Sequence, residues 1–366
     1  MSIPAQQARG IYTKAFTAVY EENIPAPQFL KSFFPSMIYN SATVNIEVSR
    51  GNEKIAVDVI RGTRGKRNTF SRATQKEILP PFYKEYFDAT QLDNYDRVFG
   101  FSPDIPNATV IGFLARETGM KYVELRKKID RAKELQCANA LETGVVTLVN
   151  GDNIDYKRQA TSIVDLTASG YWTNTGADVE SQLIAAAEFE RQEGRNSSAI
   201  FNLVTSGQAF VNLKKTDFFK NNANYQQVKL IDINTPIKES FGAAYHGQIS
   251  AGAYIFNIWT YDETYETDAG VATRYWPVNK AVIIPTTGAR FEMSHAQVPA
   301  IIRDTGNAEF PAFIGRVSAE YYRTNSIDEL GAAHYFWLMS APVAFPITVD
   351  MIYTMQIAGD SEIQGG

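Results

Sequence analysis

The stretch GMKYVELRKKIDRAKELQCANALETG, residues 119–144, is the most strongly helical part of the chain. Its apolar side chains recur at the three- and four-residue spacing that places them on one face of an α-helix, namely Tyr122, Leu125, Ile129 and Ala132. Gly144 is a typical residue for the end of such a helix. We therefore predict a helix over about residues 117–143 that packs through this stripe.

The charged residues of this helix are expected on its solvent-facing side. Glu124 precedes Lys128 by four residues, and Asp130 precedes Lys133 by three. Ion pairs at these spacings add only ~0.2–0.5 kcal/mol each on an exposed helix surface. Cys137 lies in the same helix, and we interpret it as a small packing residue.

Upstream of the helix, the sequence predicts a long β-hairpin. TVNIEV (43–48) and KIAVDVI (54–60) have the composition of strands, and TFSRATQKEI (69–78) is the return strand. The tip is RGTRGKRN (61–68), which contains two glycines. Because a lone hairpin is marginally stable in water, this one is expected to lie on a neighbour.

The tip of the hairpin concentrates positive charge in Arg61, Arg64, Lys66 and Arg67. Three interpretations stay open: a solvated end, a clamp on an acidic patch of a neighbouring subunit, and a contact with DNA. The clamp is the specific one of the three, because the planar fork of arginine pairs with carboxylates through two parallel hydrogen bonds.

The N-terminal segment 1–43 contains apolar residues for which the sequence offers no obvious local partner, and they include Phe29, Leu30, Phe33, Phe34, Met37 and Ile38. Prolines at 25, 27 and 35 interrupt it. One interpretation is an arm that packs on another chain. The alternative is a segment that caps the core of its own chain.

Beyond the long helix, the pattern alternates between strands and helices before it becomes mostly β. We predict a helix from Asp178 to Arg191 that ends near Gly194, with Asp178 as its N-cap. AIFNLVTSGQAFVNL (199–213) reads as a buried strand that leads into a helix, with Thr205 as the capping residue.

Composition narrows the class of protein. The 366 residues carry 35 basic and 40 acidic side chains, a balance that argues against a dedicated nucleic-acid-binding protein. A single cysteine rules out an intramolecular disulfide and fits a reducing cytosol. No apolar run of about 18 residues and no signal peptide are found in the sequence, so we expect a soluble protein without membrane association.

The sequence lacks the usual signatures of an enzyme. GTRGKRNT does not have the spacing of a phosphate-binding loop, and Thr205-Ser206-Gly207 is not a nucleophile elbow. The three histidines form no i, i+4 pair, so we expect no metal site, no cofactor and no catalytic residue. A β-rich carbohydrate-active enzyme that uses two unassigned carboxylates is a remote alternative, since such sites leave little trace in sequence.

The order of these elements resembles the lambda-type major capsid proteins of tailed phages, the phage major capsid protein E family. The segments that carry the resemblance are VDVIRGTRGKRN with TFSRATQKEILPP, the helix ending in LETG, FNLVTSGQAFVNL, and the closing FWLMSAPVAFPITVDMIYTMQI with its Ser340-Ala341-Pro342 turn. They cover nearly the whole chain, about residues 29–357, in the order of the family.

The resemblance implies an α+β chain with the Hong Kong 97-type capsid fold. Its parts would be an N-terminal arm (1–43), an extended loop (44–92, tip 61–68), a peripheral domain with a spine helix at about 117–143 (93–177 and 310–357), an axial domain (178–309) and a flexible tail (358–366). Candidate inter-subunit contacts are the basic tip residues together with Phe29, Phe33 and Phe34.

The resemblance also implies a function. The chain would self-assemble as hexamers and pentamers into the icosahedral head of a virion, in the host cytoplasm, and would enclose double-stranded DNA through weak, non-specific contacts. Implied partners are copies of itself, a separate scaffolding protein, the portal and a cement protein. No Lys and Asn pair for a covalent crosslink can be placed. An alternative function for a chain with the same fold is the encapsulin-like shell of a cellular nanocompartment.

Overall fold

The predicted long helix is present and begins earlier than expected. Helix α1 runs over Asn107–Glu142, 36 residues, whereas the sequence pattern predicted a start near residue 117. Because Gly112 and Gly119 are weak helix formers, the sequence pattern did not indicate the earlier start. The end is as predicted: Gly144 has a left-handed φ of 71°, and its N–H donates to the carbonyl of Ala140 at 3.2 Å.

The computed structural model describes residues 26–48, 74–88, 107–147, 153–224, 237–238, 241–267, 269–303, 312–328 and 333–359. The other helices are α2 Thr167–Gly170, α3 Val179–Gln192, α4 Gly207–Lys215 and α5 Asp217–Asn224, with short 3-10 helices η1 Leu30–Phe33, η2 Ala160–Ser162 and η3 Val349–Met351. The strands are β1 Ser36–Ile38, β2 Val44–Val48, β3 Thr74–Ile78, β4 Tyr83–Asp88, β5 Val145–Thr147, β6 Asn153–Asp155, β7 Ile163–Asp165, β8 Ile200–Thr205, β9 Ile237–Lys238, β10 Ala243–Ala251, β11 Tyr254–Tyr261, β12 Thr264–Glu266, β13 Ala272–Arg274, β14 Lys280–Pro285, β15 Phe291–His295, β16 Val298–Arg303, β17 Ala312–Val317, β18 Tyr322–Asp328, β19 Ala333–Ser340, β20 Pro342–Pro346 and β21 Tyr353–Gln356.

A seven-stranded mixed sheet, in the order β7-β21-β14-β8-β11-β10-β9, separates two hydrophobic cores. Side chains alternate between the two faces of a strand. Phe201, Leu203 and Ile283 therefore face the core that contains α3 and α4, while Val204 and Val282 face the core that contains the end of α1. Each face of the sheet therefore packs against one of the two cores.

The last strand, β21, also lies in this seven-stranded sheet, between β7 and β14. The expected division of the chain placed 310–357 with the long helix and 178–309 in a separate domain. Thr354 lies opposite Val282 in the antiparallel ladder, so β21 connects both ranges within one sheet, and the division into two domains stays a prediction. The chain returns to the sheet at its C-terminal end.

Two caps set the starts of α3 and α4. The Asp178 side chain accepts a hydrogen bond from the Ser181 N–H at 3.1 Å, as predicted. The predicted cap of α4 was wrong by one residue: Ser206, not Thr205, accepts from the Ala209 N–H at 3.1 Å. Thr205 is the last residue of β8 instead.

Two three-stranded sheets surround α1. One, β18-β19-β4, packs on the helix through Phe87, Phe336 and Leu338; the other is β1-β15-β20. The chain passes from the first sheet to the second at the predicted turn, where Ala341 separates β19 from β20. Of the predicted hairpin, β2 and β3 pair antiparallel at its base, and its tip lies outside the described residues, as do residues 1–25.

Arg158 ties the end of α1 to the C-terminal strands. Its guanidinium donates to the carbonyl oxygens of Leu141 at 2.7 Å and Ile352 at 3.0 Å, and to Thr354 Oγ1 at 3.1 Å. Burial lowers the pKa of Arg158 to about 10, which leaves it charged at neutral pH. Buried carbonyl oxygens at a helix end need hydrogen-bond donors. This one side chain supplies donors to carbonyl oxygens of several segments.

We expect Arg158→Met to lower the free energy of unfolding by about 3 kcal/mol or more, because it removes the guanidinium that donates to the carbonyl oxygens of Ser162 and Ile352. Urea unfolding followed by circular dichroism measures this. Arg191→Met is the matched control, since the Arg191 side chain donates to the Tyr254 hydroxyl at 3.4 Å in an exposed contact. Equal stability of the two variants would contradict the role of Arg158.

Candidate functional site: the helix junction

Only part of the predicted packing stripe of α1 is buried. Tyr122 and Ile129 are buried, and Leu125 packs against them while half-buried. The Tyr122 ring lies 5.5 Å from that of Phe87, and its hydroxyl donates to the Thr324 carbonyl at 3.2 Å. Ala132 is half-buried and belongs to the border of this face.

The expectation that the charges of α1 face solvent is wrong for Asp130, Lys133 and Glu134, whereas Lys128 and Arg131 are exposed. Asp130, Lys133, Glu134 and Gln136 are at most 4% exposed. We call these four residues and the groups they contact the helix junction. Of the two ion pairs expected from spacing, the pair of Asp130 and Lys133 is present at 3.8 Å, whereas Lys128 pairs with Glu85 of β4 at 3.0 Å instead of Glu124. Long-range partners, which spacing along one helix cannot reveal, decide these contacts.

Lys133 is the centre of a buried ionic cluster. Its ammonium lies 3.0 Å from Glu320 and 2.6 Å from the Tyr321 hydroxyl, and Tyr321 donates to Asp130. Lys31 of the N-terminal segment approaches both carboxylates at 3.8 Å. Burial lowers the pKa of Lys133 to about 8, while Glu320 acts in the opposite direction. The cluster joins the helix to the N-terminal segment and to the start of β18.

Glu134 holds the short helix Leu30–Phe33 against α1. Its Oε1 accepts from the Leu30 N–H at 2.8 Å and from the Tyr261 hydroxyl at 2.8 Å, and its Oε2 accepts from the Lys31 N–H at 2.9 Å. Burial raises the pKa of Glu134 to about 7, although the three donors favour the charged form. The carboxyl group therefore satisfies free N–H groups at the start of that helix.

The aromatic residues of the N-terminal segment pack in the core of their own chain. The Phe29 ring lies 5.4 Å from that of Trp259, with Phe33 against its edge, and Phe34 stacks on Phe291 at 5.2 Å. Phe29 and Phe34 are 4% and 1% exposed. This packing agrees with the alternative interpretation, a segment that caps its own core, and the role of these residues in inter-subunit contacts stays a prediction. Phe33 is only partly buried.

Gln136 closes one edge of the β1-β15-β20 sheet. Its Oε1 accepts from the Ala344 N–H at 3.1 Å, and its Nε2 donates to the Pro342 carbonyl at 3.5 Å and the Tyr83 hydroxyl at 2.8 Å. The amide group thus takes the place of a neighbouring strand along β20. The sequence pattern gives no sign of these partners, because they lie on strands far from Gln136 along the chain.

Catalytic features are scarce in the described part of the chain. His295 is buried, and burial together with Lys133 lowers its pKa to about 4, which keeps it neutral. Burial raises the pKa of the Cys137 thiol, so it does not provide a reactive thiolate. Among the described residues, no group of three or more His, Cys, Asp or Glu could hold a metal ion. The predicted basic tip, Arg61, Arg64, Lys66 and Arg67, lies outside the described residues.

The sequence profile of phage major capsid protein E matches residues 13–325. The chain belongs to the phage major capsid protein E family. No curated protein matches it. The resemblance seen in the sequence is thereby confirmed, and this capsid protein is a component of the virion of a tailed phage.

Solved structures show the same fold. A candidate capsid protein of a prophage of Escherichia coli CFT073 aligns with a TM-score of 0.57 at 15% identity, over 94% of this capsid protein and 98% of that chain. A phage-related protein of Bordetella bronchiseptica RB50 aligns with a TM-score of 0.50 at 14% identity, over 94% and 95% of the two chains. The predicted α+β, Hong Kong 97-type fold is confirmed.

The encapsulin SrpI of Synechococcus elongatus PCC 7942 aligns with a TM-score of 0.46 at 13% identity, over 98% of this capsid protein and 96% of that chain. This similarity is too weak to support the alternative of a nanocompartment shell. Family and fold are those of structural proteins, which gives no support to a carbohydrate-active enzyme. None of the described helices is long and apolar enough to cross a membrane.

We expect Ile129→Asp to cost about 3 kcal/mol or more and to yield insoluble capsid protein, because it places a charge in the buried contact between α1 and β19. The measurement is the soluble fraction after expression. Val123→Asp on the same helix is the control, since Val123 is 45% exposed. A soluble, stable Ile129→Asp protein would show that this face is not buried.

We expect Glu134→Gln to lower the free energy of unfolding by about 1–3 kcal/mol, because the new amide NH2 would face the Lys31 N–H, another donor. Denaturant unfolding gives the size of the effect, and limited proteolysis shows whether the segment around Leu30 becomes accessible. Glu124→Gln is the matched control, with a half-exposed carboxylate that lies 3.4 Å from the Lys121 ammonium. Wild-type resistance to protease in Glu134→Gln would refute the role of this carboxyl group.

Proposed function

We propose that this capsid protein assembles as hexamers and pentamers into a closed icosahedral shell around double-stranded DNA. The observation that carries the proposal is the family match over residues 13–325. Closed shells follow from symmetry, because contacts that repeat around rotation axes form rings, and rings of two sizes close a surface. Each contact can be weak, since every subunit makes many of them.

The parts of the fold have proposed roles. Helix α1 with the β18-β19-β4 sheet would form the peripheral domain, and α1 would be its spine helix. The seven-stranded sheet with α3 and α4 would form the axial domain. The Glu134 carboxyl group of the helix junction supports this arrangement, because it accepts from the Tyr261 hydroxyl of β11 at 2.8 Å and so links α1 to the seven-stranded sheet.

Inter-subunit contact is proposed for the hairpin that continues from β2 and β3. The pairing of Val44 with Ile78 and of Val48 with Thr74 supports a hairpin that projects from the body. A basic tip with Arg61, Arg64, Lys66 and Arg67 suits a clamp on carboxylates of the next subunit. A net charge of −5 supports only weak, non-specific contact with packaged DNA.

Partners in assembly are also proposals. We infer a separate scaffolding protein, assembly in the host cytoplasm, a portal in the finished head and a cement protein on its surface. The support is membership of the capsid protein family. Expression with and without a scaffolding protein, followed by negative-stain electron microscopy, tests the proposed assembly. A monomer that forms no particles under either condition would refute it.

We expect deletion of residues 62–67 to leave a soluble, folded capsid protein that does not close particles, because the deletion removes the proposed clamp but no described residue. Circular dichroism checks the fold, and electron microscopy counts the particles. A control variant replaces the same six residues with Gly and Ser, which preserves the length of the hairpin. Normal particles from the deletion variant would rule out the clamp.

A further inference from the structure

The β1-β15-β20 sheet has two edges that differ in how they are covered. Strand β15 is central, β20 pairs with it antiparallel, and β1 pairs with it parallel. At each edge, alternate residues direct their backbone N–H and C=O groups away from the sheet. Such groups need partners, and an open edge is a template for pairing with another chain.

The β20 edge is covered by side chains of its own subunit. The Gln136 amide bonds the outward N–H of Ala344 and the outward carbonyl of Pro342, and the Tyr156 hydroxyl donates to the carbonyl of Ala344. All residues of β20 are buried. This edge is therefore closed and has no capacity for a further strand.

The β1 edge has the opposite character. The Met293 N–H donates to the Pro35 carbonyl at 2.9 Å, and the Tyr39 N–H donates to the His295 carbonyl at 2.8 Å. Since backbone directions alternate, the N–H and C=O groups of Ser36 and Ile38 point away from β15. No strand that the structure describes pairs with that side of β1.

The side chains of β1 add apolar surface to this open edge. All three residues are exposed, and the exposed fractions of Met37 and Ile38 are 52% and 54%. Natural edge strands are usually protected by a charged side chain, a proline or a bulge. Residues 36–38 contain none of these, so this edge is neither paired nor protected by any residue that the structure describes.

We propose that the open edge of β1 is an assembly contact, at which an extended segment of a second copy of this capsid protein adds a strand to the β1-β15-β20 sheet. The inference rests on the proposed function. No described strand pairs with the outward backbone groups of Ser36 and Ile38, an extended chain would pair with them, and a capsid subunit meets copies of itself. The absence of charge in residues 36–38 selects an uncharged, apolar segment of that copy. A three-residue strand gives a modest contact, which suits a shell built from many repeats.

Ile38→Pro tests the proposal, because proline removes the outward N–H of residue 38 and leaves the bonds between β1 and β15 intact. We expect a folded subunit with a wild-type unfolding midpoint and a particle yield reduced at least about tenfold. Ile38→Ala is the matched control, which loses the side chain but retains the N–H, and it should assemble in clearly higher yield. Wild-type particle yield from a folded Ile38→Pro protein would overturn the proposal.

A second measurement decides the question even if Ile38→Pro does not fold. Cys137 is fully buried, so Ile38→Cys introduces one accessible thiol for labelling with benzophenone maleimide. Illumination of particles assembled from the labelled protein should give covalent dimers on a denaturing gel, and illumination of dissociated subunits should not. Particles that give no dimers would refute the contact.

The two proposals fail in different ways. If wild-type protein forms no particles, the proposed function is refuted. If wild-type and Ile38→Pro proteins assemble equally well and labelled particles give no dimers, the shell function stands and only the β1 contact is refuted.

Discussion

The buried carboxyl group of Glu134 is the interaction on which the N-terminal part of the structure depends. It contacts backbone N–H groups of Leu30 and Lys31 and the Tyr261 hydroxyl, so it joins the N-terminal segment, α1 and the seven-stranded sheet at one point. Burial of a carboxyl group is expensive unless donors surround it. These bonds fix the position of Leu30 and Lys31 on α1. The neighbouring residues Phe29 and Phe34 are thereby placed in the core.

The same principle operates along the rest of α1. Several polar side chains in its C-terminal half are buried, and each of these requires a partner on another element. Lys133 bonds to Glu320 and Tyr321, and Gln136 bonds to the backbone of β20. The carbonyl of Leu141 at the helix end accepts from Arg158. These contacts specify which elements surround the helix, whereas apolar packing alone would tolerate several arrangements.

Local features of this fold could be predicted from the sequence, and long-range ones could not. The Asp178 cap, the Gly144 stop and the strand-to-helix segment around Leu203 follow from propensities within a few residues. The burial of Lys133 and Glu134 depends on residues more than 100 positions away, so periodicity assigned both to solvent. Family membership was recognisable because it rests on the order of elements and not on individual contacts. The basic tip stays a prediction.

Strand β8 contributes to two cores through alternate side chains, Leu203 to one and Val204 to the other. Insertion or deletion of one residue within this strand would exchange both sets at once, since every side chain would move to the opposite face. Changes in chain length that arise during evolution are therefore confined to the connections around this strand. Divergent relatives can differ widely in sequence and still retain its length.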